Sequence, residues 1–317
     1  MAKIELPVTR DFGQLIGDPI LFFRQNFKLI GQSFLYFTVP MLLVASAFTA
    51  FGLKGLFSNV FNRYSTYSSP VGASASLISL GYFAFVLIYV FQQAYLSQYM
   101  VLYSQNKETT GADTRAALLK NWKTIVLTYV ALFPLTLIAF ATSFGLVFLS
   151  AAVGKYLAGL LLFIIYLAFF YVSIALSNLI MVRLREGLGI LDSIAKCFFI
   201  ISGKWWRTFG GLLFLGVVFY SFVILAAIPF YIAVAFLAFN KLLNAGFLQS
   251  SFGPALVGIY VTALVFWMFF LFQIFHIYIG VNYFSLSEAY DDFDLRRQIM
   301  QIGETEEARF DKQEGEY

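Results

Sequence analysis

One histidine, one cysteine and a scatter of amides and hydroxyls are the main polar chemistry inside the long apolar stretches of this chain. His276 follows Gln273 by three residues, which puts the two on one helical face. Gln92, Tyr95, Ser173 and Ser177 stand at comparable depths in other apolar stretches. Together they outline a candidate polar pocket or proton path, because ionisable groups inside a membrane are functional candidates by default. The competing reading is a neutral histidine packed against a hydrogen-bond partner, since no Asp, Glu, Lys or Arg accompanies it. Metal chemistry has little to work with: zinc takes three or four His, Cys or carboxylate ligands, and the sequence has no HExxH or CxxC spacing. It also lacks a GxSxG elbow, a P-loop and a dinucleotide fingerprint. No catalytic set and no cofactor are expected. Cys197, in the apolar string KCFFIIS, reads as a small buried hydrophobe rather than a reactive thiol.

The elements that must position these residues are membrane helices. Only 12% of the 317 residues are charged and 60% are hydrophobic, whereas a soluble domain carries about 25% charged residues. A helical span needs about 20 apolar residues. Six intervals supply them: 34–53, 75–103, 124–150, 156–182, 208–239 and 254–284. Barrel strands would alternate apolar and polar residues, but 158–176 is almost unbroken apolar sequence. The expected fold is an all-α polytopic membrane protein with six transmembrane helices. Residues 1–287 form the membrane domain and 288–317 a charged tail, its last dozen residues disordered by composition.

Orientation follows from the basic residues. With Met1 inside, 17 of the 21 Lys and Arg fall in cytoplasmic segments, as the positive-inside rule requires. MAKIELPVTRDFG has no signal-peptide core. Both termini are therefore expected in the cytoplasm of a bacterial inner-membrane protein. The net charge of +4 is explained by cations beside anionic headgroups, so the lipid bilayer, and not nucleic acid, is the expected partner.

Three spans are entered by a similar device. RQNFK (Arg24, Phe27, Lys28), KNWK (Lys120, Trp122, Lys123) and GKWWR (Lys204, Trp205, Trp206, Arg207) each place aromatics beside cations, a combination that anchors helices at a membrane interface. Each closes an amphipathic stretch: 11–33, Asp113 to Lys123, and Leu191 to Lys204. In the first, Gly17-Asp18-Pro19 is a helix break with Asp18 as cap; in the second, Asp113 is the N-cap. The pattern predicts three repeats of the same orientation, near 11–105, 107–184 and 188–287, each an interfacial elbow helix plus two spans. Gln98, Asn178 and Asn282 recur near the end of each even-numbered span and are expected to hydrogen-bond between repeats. The outer connections are 54–74, which is Ser- and Tyr-rich and long enough to contact a partner, and the shorter 151–155 and 240–253.

The stretch MVRLREGLGILDSIAKCFFIISGKWWRTFGGLLFLG, with its LDSI…GKWW elbow, resembles the membrane domains found beside glycerophosphodiester phosphodiesterases and related six-span proteins. YFSLSEAYDDFDLRRQIMQIG is similar to uncharacterised Bacteroidota members. The resemblance implies the architecture and transfers no catalytic residue; no soluble segment is long enough to hold a phosphodiesterase domain. Charge-free spans, 39 Phe, 19 Tyr and the exposed elbows and tail favour a non-enzymatic accessory or scaffold subunit of a membrane complex, serving protein export or envelope biogenesis. The alternative is a lipid or small-molecule transporter with its polar pocket between the repeats.

Overall fold

The computed structural model describes residues 3–61, 71–239 and 252–314. All regular structure among them is helical. The elements are α1 (Phe12–Gln25), α2 (Phe27–Ser33), a π-helical turn (Phe34–Thr38), α3 (Val39–Phe61), α4 (Val71–Gln105), α5 (Gly111–Lys120) and α6 (Trp122–Val153). They continue with α7 (Lys155–Leu176), α8 (Leu179–Glu186), α9 (Ile190–Ile201), α10 (Trp205–Phe239) and α11 (Phe252–Glu314). Five of these stretches are long and apolar enough to cross a membrane among the described residues. α6 is a 32-residue helix with no charged residue after Lys123.

The elbows α1, α5 and α9 each stop just before an aromatic residue. Asn26 (φ −109°, ψ 16°) and Asn121 (φ −95°, ψ 11°) leave helical geometry in nearly the same way. Each carbonyl nevertheless accepts the first bond of the next helix, from Ile30 and Ile125. The third elbow ends on Ser202-Gly203-Lys204, with Gly203 at φ +73°, a conformation that glycine alone adopts without strain.

The helix starts differ from expectation. α1 runs through Pro19, and Asp18 caps nothing; its carboxylate pairs with Arg10 at 2.7 Å. The true N-cap is Asp11, in a capping box with Gln14. The buried face of Leu15, Pro19 and Phe22 outweighs the one backbone bond proline removes. The cap of α5 is Thr110, and Asp113 is the N3 partner of that box. Both hydrogen bonds from Thr110 hold the Asp113 carboxyl below its ordinary pKa.

The helices also overrun the apolar intervals. α3 continues to Phe61 and α4 begins at Val71, so most of the expected 54–74 loop is helical; 62–70 lie outside the described residues, as do 240–251. α6 and α7 join through Gly154 at φ +85°. α11 carries the last span onward to Glu314 without interruption. Helix therefore enters the stretch expected to be disordered, where Glu, Arg, Lys and Gln have good helix propensity; 315–317 lie outside the described residues.

Packing is concentrated at the elbow end. The main core joins Leu6, Leu15, Phe22 and Ile30 with Tyr99, Met100 and Tyr103 of α4, Leu179–Val182 of α8, Ile200 and Ile201 of α9, and Ile277–Leu286 of α11. A second cluster packs Phe34, Leu42 and Ile88 against Phe266, Phe269 and Phe270. Away from the elbows the chain is looser: α7 is exposed at Tyr156, Leu157, Leu160, Leu161, Phe163 and Ile164. α7 packs on α6, α9 and α10.

Candidate functional site: a buried polar lattice at the elbow end

His276 is buried, one turn along α11 from buried Gln273. Its ring lies 5.1 Å from that of Tyr89 and 5.5 Å from that of Phe272. Neither ring nitrogen has a hydrogen-bond partner among the described residues. Gln92, one turn from Tyr89 on α4, donates to Thr38 Oγ1 at 3.2 Å and leaves its own Oε1 unpaired. The structure therefore sets His276 against Tyr89 of α4 and ties Gln92 to the π-helical turn.

The other proposed pocket residues are turned elsewhere. Tyr95 is buried with its hydroxyl beside Gly111, at the start of α5. Ser173 Oγ donates to Phe169 O and Ser177 Oγ to Ile174 O, both at 2.8 Å, so each hydroxyl is spent on its own helix.

The three amides have different roles. Asn121 Nδ2 donates to Gln98 Oε1 at 2.9 Å, tying the second elbow to α4. Asn282 Nδ2 donates to Thr208 Oγ1 at 3.3 Å, between α11 and α10. Asn178 sits where α7 gives way to α8 and is buried, both its side-chain polar atoms without a partner among the described residues.

The denser constellation is one that the sequence does not announce. Arg10 is buried, donating from Nε to Asp18, from Nη1 to Leu6 O and Val8 O, and from Nη2 to Glu5 O. Its backbone N–H donates to Ser285 Oγ at 3.0 Å. Arg207 Nη1 then donates to Arg10 O at 2.9 Å. One extended segment thus joins α1, α10 and α11. A second group holds α8: Arg183 Nη1 donates to Thr128 Oγ1 at 2.8 Å and to Thr124 O at 3.1 Å. Tyr283 donates to Glu186 at 2.8 Å, and Arg185 lies over the Phe284 ring at 4.9 Å. Charge counting treats these arginines as equivalent surface cations; only the fold reveals which of them turn inward.

The interfacial residues divide on the same basis. Arg24, Phe27, Lys28, Lys120, Trp122, Lys123 and Trp206 are exposed. Trp205 is half-buried, stacked on Tyr171 and Phe209, and Arg207 belongs to the lattice. Among the described residues no three His, Cys, Asp or Glu side chains are grouped to hold a metal ion.

Fold and lattice together define an all-helical protein with apolar helices suited to a membrane and its polar chemistry gathered at one end. No protein-family model, curated protein or solved structure matches the chain.

Proposed function

We propose that this chain is a non-enzymatic accessory or scaffold subunit of a bacterial inner-membrane complex. It crosses the bilayer six times as three like-oriented repeats, with both termini and all three elbows at the cytoplasmic face. The observation that carries the reading is the contrast between the two ends of the helices. At the elbow end, buried arginines, amides and hydroxyls tie the elements to one another. Away from it, α7 offers apolar side chains around most of its circumference, Tyr156 being 84% exposed. A helix apolar on all sides is matched to lipid or to other membrane helices. The like geometry of Asn26 and Asn121 supports the repeat.

The test is purification of the full chain from its native membrane in mild detergents, followed by mass spectrometry. A partner protein at constant stoichiometry is expected. Recovery as a lone monomer under several such conditions argues decisively against the proposal.

The unpaired nitrogens of His276 and the unpaired Oε1 of Gln92 favour one second reading, a lipid or small-molecule transporter. Buried polar atoms are normally satisfied, and a polar ligand reaching them would satisfy these. Ligand density beside Gln273 and His276 would support this reading. Unchanged transport by His276→Ala and Gln273→Ala in reconstituted vesicles would remove it.

A further inference from the structure

Residues 3–11 form no helix, yet they reach the ends of all three elbows. In Lys3-Ile4-Glu5-Leu6 the side chains alternate: Lys3 and Glu5 are exposed, whereas Ile4 and Leu6 are buried in the main core. An extended chain lying on an apolar surface gives that alternation. Ile4 N–H donates to Gln25 Oε1 at 3.1 Å, on the last residue of α1. Lys3 Nζ donates to Lys107 O at 2.7 Å, and Lys107 Nζ pairs with Glu5 at 3.0 Å, both in the turn that leads to α5. At the other end Arg10 N–H donates to Ser285 Oγ of α11, and Arg10 O accepts from Arg207, just past α9.

The two attachments are unequal. The inner one is Arg10, whose buried guanidinium also holds the carbonyls of Glu5 and Leu6. The outer one is an ion pair whose side chains are 42% and 68% exposed, beside an exposed bond from Lys3. Water and salt weaken contacts of the second kind. The turn that receives the outer end is closed by its own bonds. Thr109 N–H and Oγ1 donate to Asn106 O at 3.2 and 2.6 Å, and Glu108 N–H donates to Asn106 Oδ1 at 3.0 Å. It therefore keeps its shape whether or not the segment is attached.

We propose that residues 3–11 are a strap across the three elbows, hinged at Glu5, and that Lys3 and Ile4 lift away while the chain stays folded. Lifting releases the turn before α5 from α1 and leaves the Arg10 anchor in place. The Glu5–Lys107 pair is the catch, so the strap opens more often as ionic strength rises.

Two neighbouring positions report on the two sides of the hinge. Ile4→Cys and Leu6→Cys are made separately in the full chain with Cys197→Ala, and maleimide labelling is timed in mild detergent. Raising salt from about 0.1 M to about 1 M shortens the screening length from about 10 Å to about 3 Å. Ile4→Cys is expected to label in the folded chain, about two- to fivefold faster at high salt, the worth of an exposed ion pair. Adding Lys107→Ala gives the faster rate at both salt concentrations. Leu6→Cys is expected to label only on unfolding. Hydrogen exchange of the unsubstituted chain, read at single amides by mass spectrometry, serves if either variant is misfolded: salt should speed the Ile4 amide and not that of Arg10. Equal rates on the two sides of the hinge overturn the proposal, as does an Ile4 rate indifferent to salt.

Discussion

Arg10 shows how much one side chain holds at the elbow end. Its guanidinium, 3% exposed, faces Asp18, 28% exposed, and also satisfies three carbonyls of the segment before α1. Arg10→Ala leaves a carboxylate and those carbonyls without their donor. Its expected cost is about 3 kcal/mol, the low end for a broken buried pair, because Asp18 keeps some access to water. Arg10→Lys recovers only part of this, since an ammonium cannot reproduce the planar fork. Thermal unfolding of the detergent-solubilised chain measures both, and a melting temperature unchanged by Arg10→Ala would remove Arg10 from the centre of the lattice. Cys197 offers a second measurement. Burial, reinforced by the Glu186 charge, pushes its thiol up to about 12. At pH 8 the folded chain therefore holds about 10⁻⁴ of it as thiolate, and maleimide should label it only after unfolding. The linkage has a definite sign: the unfolded thiol ionises near 8.5 and the folded one near 12, so stability falls as pH rises across that window. Cys197→Ala should flatten the alkaline slope, and rapid labelling of the native chain would contradict the buried placement. Cys197 was readable from its apolar string KCFFIIS. Arg10 was not, because nothing in MAKIELPVTRDFG distinguishes a buried guanidinium from a surface one.

Helix positions were legible in the sequence because apolar length decides them, and helix ends were less so. The Asp11 and Thr110 boxes compete with plausible signals at Asp18 and Asp113, and local chemistry alone does not rank two adjacent caps. Pro19 illustrates tertiary packing overriding a breaker, and the wide π turn at Phe34–Thr38 lies just before Pro40, where a backbone donor is missing. Close helix contacts were not legible in the same way: a Cβ on Gly211 would collide with the ring and hydroxyl of Tyr278 on α11. That hydroxyl donates to Thr208 O at 3.2 Å, so the ring has no easy retreat. Gly211→Val should cost about 3 kcal/mol, the upper part of the overpacking range. Gly210→Ala should cost much less, since its Cβ would meet only Phe12 carbons at 3.5 and 3.8 Å. Equal melting temperatures for the two variants would mean that α10 and α11 do not approach as closely as Gly211 requires.

At the scale of the whole molecule, hydrophobic patterning and charge carry different information. Patterning specifies apolar helices, because a 20-residue uncharged run has few other stable forms in a membrane. It is silent on how the helices associate, since lipid and leucine are equally apolar and no hydrophobic drive pairs one span with another. The burial of His276 against Tyr89 and of Gln92 against Thr38, while Ser173 and Ser177 turn back on α7, was for that reason beyond sequence reasoning. Charge instead bears on the orientation, since the proposed six-span topology would put 17 of the 21 basic residues on one side. Two exposed positions turn that inference into a measurement: Tyr156 at the start of α7 and Leu191 on the third elbow, which is 80% exposed. In a Cys197→Ala background, Tyr156→Cys should react with a membrane-impermeant maleimide applied to intact cells. Leu191→Cys should react only once the inner membrane is opened. Labelling of Leu191→Cys in intact cells with protection of Tyr156→Cys would invert the topology. The elbows and Lys204 would then meet the outer leaflet, and the charge distribution would need another cause.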